Sequence, residues 1–329
     1  MKPGQFVTGI FIALVVAFIY PEAGVPGGWM SPHITSPLAT FLIFFIQGIQ
    51  LKDGAGREVV RAWKLHAACQ LSNFVLSPII FLLMAWLSGY LFEESSLTMG
   101  LIFLGMLPTT INSAITMVSM TNGHVPSAIL NSSLSNLLGI WLVPLWVNTW
   151  LETWGSIELS LTPVFVKLIG LIFLPVVLGR SIRGINGLSH IIPPAHVLKN
   201  ASMWLIFIIV YMSFCRSVES RVWTGIPPAQ LFYVAVLVIS GLGMIHGCVW
   251  ILGKRMKLSD DQKPVFLFCG AQKTIAAGVP LGMALLSQDG HGIDTGLFLI
   301  PLMIYHPIQM LVGGHWMKLL NPPTREAGQ

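Results

Sequence analysis

The chain has 329 residues, of which 54% are hydrophobic and only 9% are charged. Soluble domains carry about 25% charged residues, so this composition excludes an ordinary soluble protein and indicates a polytopic membrane protein. The four cysteines, Cys69, Cys215, Cys248 and Cys269, lie in or at the edge of apolar segments. We expect free thiols packed like small hydrophobic residues, and neither a disulfide framework nor a metal site.

Ten apolar stretches follow one another along the chain, each long enough to cross a hydrocarbon core of about 30 Å. The first stretch is interpreted as a membrane span because no A-x-A-like signal cleavage site follows it. The predicted spans cover residues 5–21, 34–51, 63–90, 98–119, 126–149, 162–182, 199–216, 229–253, 263–287 and 294–317. The predicted fold is an all-α integral membrane protein with a single transmembrane domain over residues 1–329.

The distribution of basic residues predicts the orientation in the membrane. With the N-terminus in the cytoplasm, fourteen of the eighteen Lys and Arg residues fall on the inner side. The outer loops contain Arg216 and Arg221, Lys167 lies near the outer end of span 6, and Lys273 lies inside span 9. The positive-inside rule therefore predicts a multi-pass protein of the cell (cytoplasmic or inner) membrane with both termini cytoplasmic. The net charge of +5 is thus a topology signal and does not indicate a nucleic-acid partner.

Lys273 is the one charged residue predicted to lie deep within a span. A charge at the bilayer centre costs a few kcal/mol or more, so such residues usually face a cavity and have a function. Gly270, Gly278 and Pro280 predict that the helix of span 9 is interrupted, and Pro108 predicts the same for span 4. Unwound backbone is tolerated at membrane depth only where it is buried or lines a cavity. The alternative is that both are simple kinks that ease packing.

Two segment matches indicate an internal repeat. Residues 41–46 resemble residues 204–209, and residues 109–114 resemble residues 273–278, at offsets of 163 and 164. The repeats would cover about residues 1–155 and 156–329. Five spans per half is an odd number, so the halves must have opposite orientations in an inverted repeat. We expect the broken helices of spans 4 and 9 to cross near the bilayer midplane. Short apolar matches also arise by chance in so biased a composition.

A polar strip on span 5 is a candidate neighbour of the break in span 4. Ser132, Ser135, Asn136 and Gly139 share one helical face. The alternative is that these residues serve only in helix packing, which is common in membranes. Isolated intramembrane Gln and His residues are interpreted as local hydrogen-bonding groups, with Gln70 of span 3 as the exception.

The chain resembles the bile acid:sodium symporter family (solute carrier family 10), over its whole length. The residues that support the resemblance are Lys64-Leu65-His66 with Gln70, residues 108–113, Gly123, residues 131–133, Gly139 and residues 268–273. It is most similar to the atypical branch with the seventh vertebrate member and bacterial relatives. The resemblance implies a core domain (spans 3–5 and 8–10), a panel domain (spans 1, 2, 6 and 7), a fold like that of sodium/proton antiporters, and alternating access.

The resemblance also implies two sodium sites, with Ser113 and Ser132 at the first and Gln70 and Gln272 at the second. This chain departs from the family there. Phe268 stands where the family has a Glu shared by both sites, and Lys273, Ala114 and Ala128 stand where it has Asn, Asn and Ser. Since a hard cation prefers oxygen ligands, these changes weaken the case for two bound sodium ions. Na⁺ remains a possible coupling ion, and no other cofactor is expected.

The function expected from these features is secondary active transport of a small organic anion, with sodium symport as the first mechanism. Lys273, Thr110, Asn112 and Thr274 lie at the breaks and are the candidate substrate ligands. In the alternative, Lys273 replaces a sodium ion, and the carrier is proton-coupled or uncoupled. Lys273 would in a third case only cap carbonyls of the broken helix. A channel or a non-transporting membrane regulator remains the alternative from another class. An enzyme is not expected, because no Asp or Glu, His-rich metal cluster or G-x-S-x-G motif lies in the spans.

Overall fold

The computed structural model describes residues 3–50, 62–91, 95–155, 166, 169–184, 192–219, 221, 224, 226–286 and 292–320. These residues are helical or lie in short connections, and none of them is in a strand. The expectation of an all-α membrane protein is therefore confirmed for the described part of the chain.

Twelve helices are named here in chain order. They are α1 (Pro3–Ile19), α2 (Pro32–Gln50), α3 (Trp63–Ser88), α4 (Ser95–Met106), α5 (Asn112–Met120), α6 (Val125–Gly155), α7 (Leu174–Gly184), α8 (Ala195–Glu219), α9 (Pro228–Arg255), α10 (Gln262–Ala271), α11 (Ile275–Leu285) and α12 (Thr295–Leu320). A short 3₁₀ turn, Pro21–Gly24, follows α1. A π-helical turn, Ser72–Leu76, lies within α3, and another, Ile169–Phe173, precedes α7.

Seven helical segments of the described residues are long and apolar enough to cross a membrane. They are Pro32–Gln50, Trp63–Ser88, Val125–Thr149, Ala195–Glu219, Pro228–Arg255, Gln262–Leu285 and Thr295–Leu320. Two shorter apolar helices, Thr8–Ile19 and Ser95–Met106, match parts of predicted spans 1 and 4. Predicted span 6 matches α7 and the turn before it, whereas residues 162–165, 167 and 168 of that span lie outside the described residues.

The helices pack in two groups. In one group, α2 packs against α7 and α8, and α1 packs against α8; in the other, α4 packs against α3 and α12, and α9 packs against α3, α10 and α12. Glycine permits close approach in the first group, because a Cβ atom at Gly48 would lie 2.2 Å from the carbonyl oxygen of Val176. The two groups meet where α8 contacts α11 and α12 and where α2 contacts α11.

Candidate functional site

Two helix breaks meet at the centre of this arrangement. Between α4 and α5, residues 107–111 are not helical, and between α10 and α11 the same is true of residues 272–274. The N–H group of Thr274 donates a hydrogen bond of 3.0 Å to the carbonyl oxygen of Pro108, so the breaks touch through their backbones. Proline has no N–H to continue a helix, which accounts for the first break. We call residues 107–111 together with residues 272–274 the crossing.

The predicted break residues are placed differently from one another. Pro108 lies in the crossing, as expected. The other three lie inside helices and not in the break: Gly270 in the last turn of α10, and Gly278 and Pro280 within α11. The interruption is confined to residues 272–274, where Gln272 and Thr274 have extended backbone conformations.

The Lys273 side chain is completely buried at the crossing. Its ammonium donates hydrogen bonds to the carbonyl oxygens of Asn73 (3.1 Å), Gly105 (3.1 Å) and Leu107 (2.7 Å). An ammonium has three N–H donors, so these three acceptors match its full capacity. Gly105 and Leu107 lie at the C-terminal end of α4, where the last carbonyl groups give a helix a negative partial charge. The positive charge is therefore bound by backbone dipoles from two other helical segments.

The backbone of Lys273 is fixed by Gln309 of α12. The Gln309 side chain accepts a hydrogen bond from the Lys273 N–H group and donates one to the Lys273 carbonyl oxygen, both at 2.8 Å. Gln309 also shares a hydrogen bond of 2.8 Å with Nδ1 of His306, one turn earlier. One amide side chain thus replaces the helical hydrogen bonds that Lys273 lacks. The sequence analysis had interpreted Gln309 only as one of the isolated local hydrogen-bonding groups.

The carbonyls that end α10 are also paired. The carbonyl oxygen of Cys269 accepts a hydrogen bond from the Asn73 amide (2.9 Å), that of Gly270 from the Ser72 hydroxyl (2.7 Å), and that of Ala271 from the Tyr305 hydroxyl. Helix ends at membrane depth require such partners because no water replaces them there. Sequence reasoning missed these three donors, although a Ser-Asn pair in the middle of an apolar span is the signal that would have identified two of them.

The polar strip of α6 contacts the other break, as one of the two interpretations predicted. The Asn136 amide donates to the carbonyl oxygen of Thr109 at 2.9 Å, and the Thr109 N–H donates to the Ser135 hydroxyl at 3.1 Å. Gly139 allows α6 to approach, because a Cβ atom there would lie 2.9 Å from the Pro108 ring. The strip therefore supports the unwound backbone directly.

The structure brings together only some of the residues predicted to bind an ion. The Ser113 hydroxyl donates to Oε1 of Gln272 at 3.0 Å and lies 3.1 Å from the Thr110 hydroxyl. The other two side chains have different partners. The Ser132 hydroxyl lies 3.7 Å from the sulfur of Cys269, and the Gln70 amide donates to the carbonyl oxygen of Asn131 at 3.2 Å.

The remaining predicted ligands lie at the starts of the half-helices. The Thr274 hydroxyl caps α11 by accepting from the N–H of Ala277 at 3.4 Å. Asn112 is the first residue of α5, and its side chain lies outside the described part of the structure. Both N-termini therefore lie at the crossing, where the first N–H groups of each helix carry positive partial charge.

Comparison with known proteins identifies the kind of protein to which this crossing belongs. "Sodium/bile acid cotransporter 7" of Mus musculus is 26% identical over 313 residues, which cover 94% of this chain and 89% of that protein. "Putative symporter YfeH" of Escherichia coli (strain K12) is 29% identical over 311 residues, covering 93% of this chain and 90% of that protein.

The family comparison agrees with these relatives. The model of the SBF-like CPA transporter family matches residues 4–321. The match confirms the resemblance drawn from the sequence motifs, and it confirms that the chain is a transporter and not an enzyme. The chain belongs to the SBF-like CPA transporter family.

Proposed function

We propose that this chain is a secondary active transporter that moves a small organic anion by alternating access. The observation that carries the proposal is the crossing, where two broken helices meet at the Thr274–Pro108 hydrogen bond around the buried Lys273 ammonium. Discontinuous helices that expose half-helix ends near the bilayer midplane are the usual construction of a transporter site.

The positions of the two breaks support an inverted repeat of five spans each. Met106 and Ala271, which end α4 and α10, are 165 residues apart, and Asn112 and Ile275, which begin α5 and α11, are 163 residues apart. These offsets agree with the sequence matches at 163 and 164 residues. They favour two repeats of five spans, and so ten spans in total. The distribution of basic residues separately predicts both termini on the cytoplasmic side of the cell membrane.

The two packing groups support movement of one part against the other. We assign the group of α1, α2, α7 and α8 to the expected panel and the remaining helices to the expected core. A cavity of about 20 Å³ lies next to the crossing, with Phe44 and Val176 of the panel on one side and Ile111 and Asn136 of the core on the other. It has room for about one water molecule. Rigid-body rocking of one group would open and close such a space.

An organic anion is the substrate class that these features favour. The mouse relative is named for bile acids, which are organic anions. The N-termini of α5 and α11 both point their positive partial charge toward the crossing. Thr110 and Thr274 are polar residues beside those ends, and no Asp or Glu is predicted within the spans to compete with an anion.

The contacts of Lys273 favour a role as a built-in cation. Backbone carbonyl oxygens bind both ammonium groups and hard metal ions. With three carbonyls already bound, the ammonium stabilises the crossing and replaces a mobile sodium ion there. Secondary active transport is then coupled to protons and not to sodium.

Sodium symport is the second candidate. It is favoured by a short chain of oxygen atoms, in which the Ser113 hydroxyl lies 3.1 Å from the Thr110 hydroxyl and 3.0 Å from Oε1 of Gln272. Neutral oxygen atoms of this kind are the ligands that a hard cation prefers. The name of the mouse relative favours the same mechanism.

Counterflow in proteoliposomes tests the transporter proposal. Vesicles are loaded with unlabelled benzenesulfonate or taurocholate, and uptake of the same labelled anion is followed. A carrier gives faster uptake into loaded vesicles than into empty ones, because exchange does not require the empty carrier to reorient. Equal rates of uptake into loaded and empty vesicles indicate a channel. Absence of uptake for both anions contradicts a carrier for organic anions of this size range.

Thermal stability in NaCl and in choline chloride, at equal ionic strength and pH, separates the two mechanisms. A ligand that binds only the folded protein raises the unfolding midpoint. The built-in cation predicts equal midpoints in the two salts. A sodium-specific rise that disappears in Ser113→Ala and Gln272→Ala, but persists in the exposed control Ser181→Ala, would instead demonstrate a sodium site and favour sodium symport.

A further inference from the structure

The outward side of α9 has an open stripe that ends in a positive charge. Gly243, Gly247, Trp250 and Lys254 are spaced four, three and four residues apart, so they lie on one face of the helix. A Cβ atom at Gly243 or Gly247 would meet nothing within 4 Å outside its own stretch of helix. We call these four residues the α9 face. The two glycines leave a shallow slot along the outside of the bundle.

Two tryptophans lie between the slot and the charge. The ring centroids of Trp250 and of Trp316 in α12 are 5.0 Å apart, and both residues lie in the last two turns of their helices. The helices α9 and α12 therefore end side by side. Tryptophan is enriched where acyl chains meet headgroups, because its ring is apolar and its N–H group is polar. The tryptophan pair thus places the slot among the acyl chains and Lys254 among the headgroups.

The Lys254 ammonium is held above the tryptophan at the end of the slot. Its Nζ atom lies 4.7 Å from the centroid of the Trp250 ring, which is a cation–π contact, and the side chain is exposed. Among the described residues no carboxylate forms a salt bridge with Lys254, so the contact orients the ammonium without neutralising it. The position suits a negative group that approaches from the membrane surface.

This end of the bundle is basic, and the described acidic residues next to it are already paired. Four exposed basic residues lie here: Lys254, Arg255, Lys257 and Lys318. Asp260 forms a salt bridge of 2.7 Å with Lys263, and the Asp261 carboxylate accepts a hydrogen bond from the Ser259 hydroxyl. The basic residues predict this end to be cytoplasmic, and the anionic lipids of that leaflet attract basic segments. The charge therefore favours an anionic headgroup.

The length of the α9 face matches one acyl chain. From Lys254 to Gly243 the helix rises about 16 Å, at about 1.5 Å per residue. One leaflet contributes half of a hydrocarbon core of about 30 Å, which is about 15 Å. A phospholipid whose phosphate lies at Lys254 would therefore lay one chain along Gly247 and Gly243 through the depth of its leaflet.

A second copy of the chain is the other partner that a Gly-x-x-x-Gly stripe suggests. Copies that share one orientation in the membrane pair about a two-fold axis, which places each residue of the contact near its own symmetry mate. The two Lys254 ammonium groups would then lie opposite each other, and like charges across an interface oppose association. The charge at the end of the α9 face thus favours an anionic lipid over a second copy.

We propose that the α9 face is a binding site for one anionic phospholipid. The phosphate pairs with Lys254, the glycerol region lies against Trp250 and Trp316, and one acyl chain occupies the slot over Gly247 and Gly243. The site is on the outside of the core group of helices and is separate from the crossing. It therefore stands or falls independently of the transport function proposed above.

Native mass spectrometry of the purified, delipidated full chain tests the site. The protein is titrated with dioleoylphosphatidylglycerol, and dioleoylphosphatidylcholine serves as the zwitterionic lipid with identical chains. The first phosphatidylglycerol molecule should bind more tightly than the first phosphatidylcholine molecule. Lys254→Gln should weaken phosphatidylglycerol binding about fivefold, equivalent to about 1 kcal/mol for one basic contact, and leave phosphatidylcholine binding unchanged. Lys254→Arg, which keeps the charge, should bind phosphatidylglycerol like the wild type.

Lys64→Gln is the matched control for the charge. Lys64 is also exposed and lies 5.9 Å from the centroid of the Trp63 ring, but its helix, α3, contains no glycine and so no comparable slot. Its loss should leave lipid binding unchanged. Equal weakening by Lys64→Gln and Lys254→Gln would show a diffuse attraction to the whole basic surface and would overturn the site. Equal binding of the two lipids by the wild type would overturn it as well.

Gly247→Leu tests the slot by filling it, and Gly243→Leu is the second variant if the first does not fold. Either should weaken the binding of both lipids, because the new side chain displaces the acyl chain. Gly170→Leu, in the turn before α7, also meets nothing within 4 Å and should bind like the wild type. Equal binding by the slot variant and the Gly170 variant would contradict a lipid in the slot.

Two further outcomes would assign the α9 face to another partner. A dimer in the wild-type spectrum that disappears in Gly247→Leu, without discrimination between the lipids, would assign the face to a second copy of the chain. Glycerol 1-phosphate carries the same phosphate without acyl chains and should not displace phosphatidylglycerol. Displacement by an equal concentration of glycerol 1-phosphate would instead show a site for a soluble phosphate.

Discussion

Replacing Lys273 by Met removes the ammonium from the crossing while keeping a long, flexible side chain of similar shape. In the wild type the ammonium binds the carbonyl oxygens of Asn73, Gly105 and Leu107. The Gly105 carbonyl also accepts a hydrogen bond from the Ser77 hydroxyl at 2.8 Å, so it retains a partner in the variant. The carbonyls of Asn73 and Leu107 lose the charged donor.

The size of the effect follows from those two contacts. A hydrogen bond to a charged group contributes about 1.5–3 kcal/mol net of desolvation. Two of them give a loss of about 3–6 kcal/mol in the free energy of unfolding. At roughly 2 °C per kcal/mol, the value for larger domains, the unfolding midpoint of Lys273→Met should fall by about 6–12 °C.

The assay is thermal unfolding of the purified protein at a fixed heating rate, because membrane proteins often unfold irreversibly and their midpoint then depends on the rate. Lys318→Met is the matched control, since Lys318 is exposed in the last turn of α12. Its loss should cost at most about 1 kcal/mol through the helix dipole. Midpoints for the two variants that agree within error would refute the inference that the ammonium holds the crossing together.

Three further predictions concern the supports of the fold and are checked by the same unfolding assay. Gly48→Ala should destabilise the protein by about 1–3 kcal/mol, because the new methyl group would overlap the backbone of Val176. The control Gly314→Ala has no atom within 4 Å of its new methyl group and should be neutral or stabilising. Equal unfolding midpoints for the two variants would contradict the close packing of α2 on α7. Gln309→Met should cost about 2–6 kcal/mol, since it leaves both the N–H and the carbonyl of Lys273 without their partner; a wild-type midpoint would contradict this. Asp294→Ala should cost about 0.5–2 kcal/mol by removing the acceptor at the start of α12, and Asp294→Asn should restore most of it; failure of the Asn variant to do so would show that the charge matters more than the acceptor.

The sequence predicted the spans well because the bilayer makes a simple demand. An apolar stretch of about 20 residues is visible without any knowledge of its neighbours. Seven of the described helical segments are long and apolar enough to be spans, and residues 107–111, which include Pro108, are not helical, because proline acts locally. Gly278 and Pro280 were expected at the break of span 9 but lie inside α11, because their effect depends on neighbouring segments. A membrane helix tolerates Gly and Pro when neighbouring segments supply partners for the freed backbone groups. Composition alone does not show whether such segments are present.

The crossing itself depends on tertiary contacts, which is why its supports were mostly missed. The end of α10 is held by donors from segments distant in the chain, Ser72 and Asn73 of α3 and Tyr305 of α12. A single Ser or Asn in a span has the same appearance whether it serves as general packing or as the partner of one particular carbonyl. Lys273 was recognisable from the sequence as a residue of the site because burying a charge in the membrane is costly. That cost predicts that the ammonium has partners but does not say which groups they are. The partners are the carbonyl of Asn73, which lies in a π-helical turn, and the carbonyls of Gly105 and Leu107, which lie at a helix break. These three carbonyls come together only once the distant segments have assembled. The same distortions that interrupt the helices thus create the acceptors that a buried cation requires, so the broken backbone and the lysine stabilise each other.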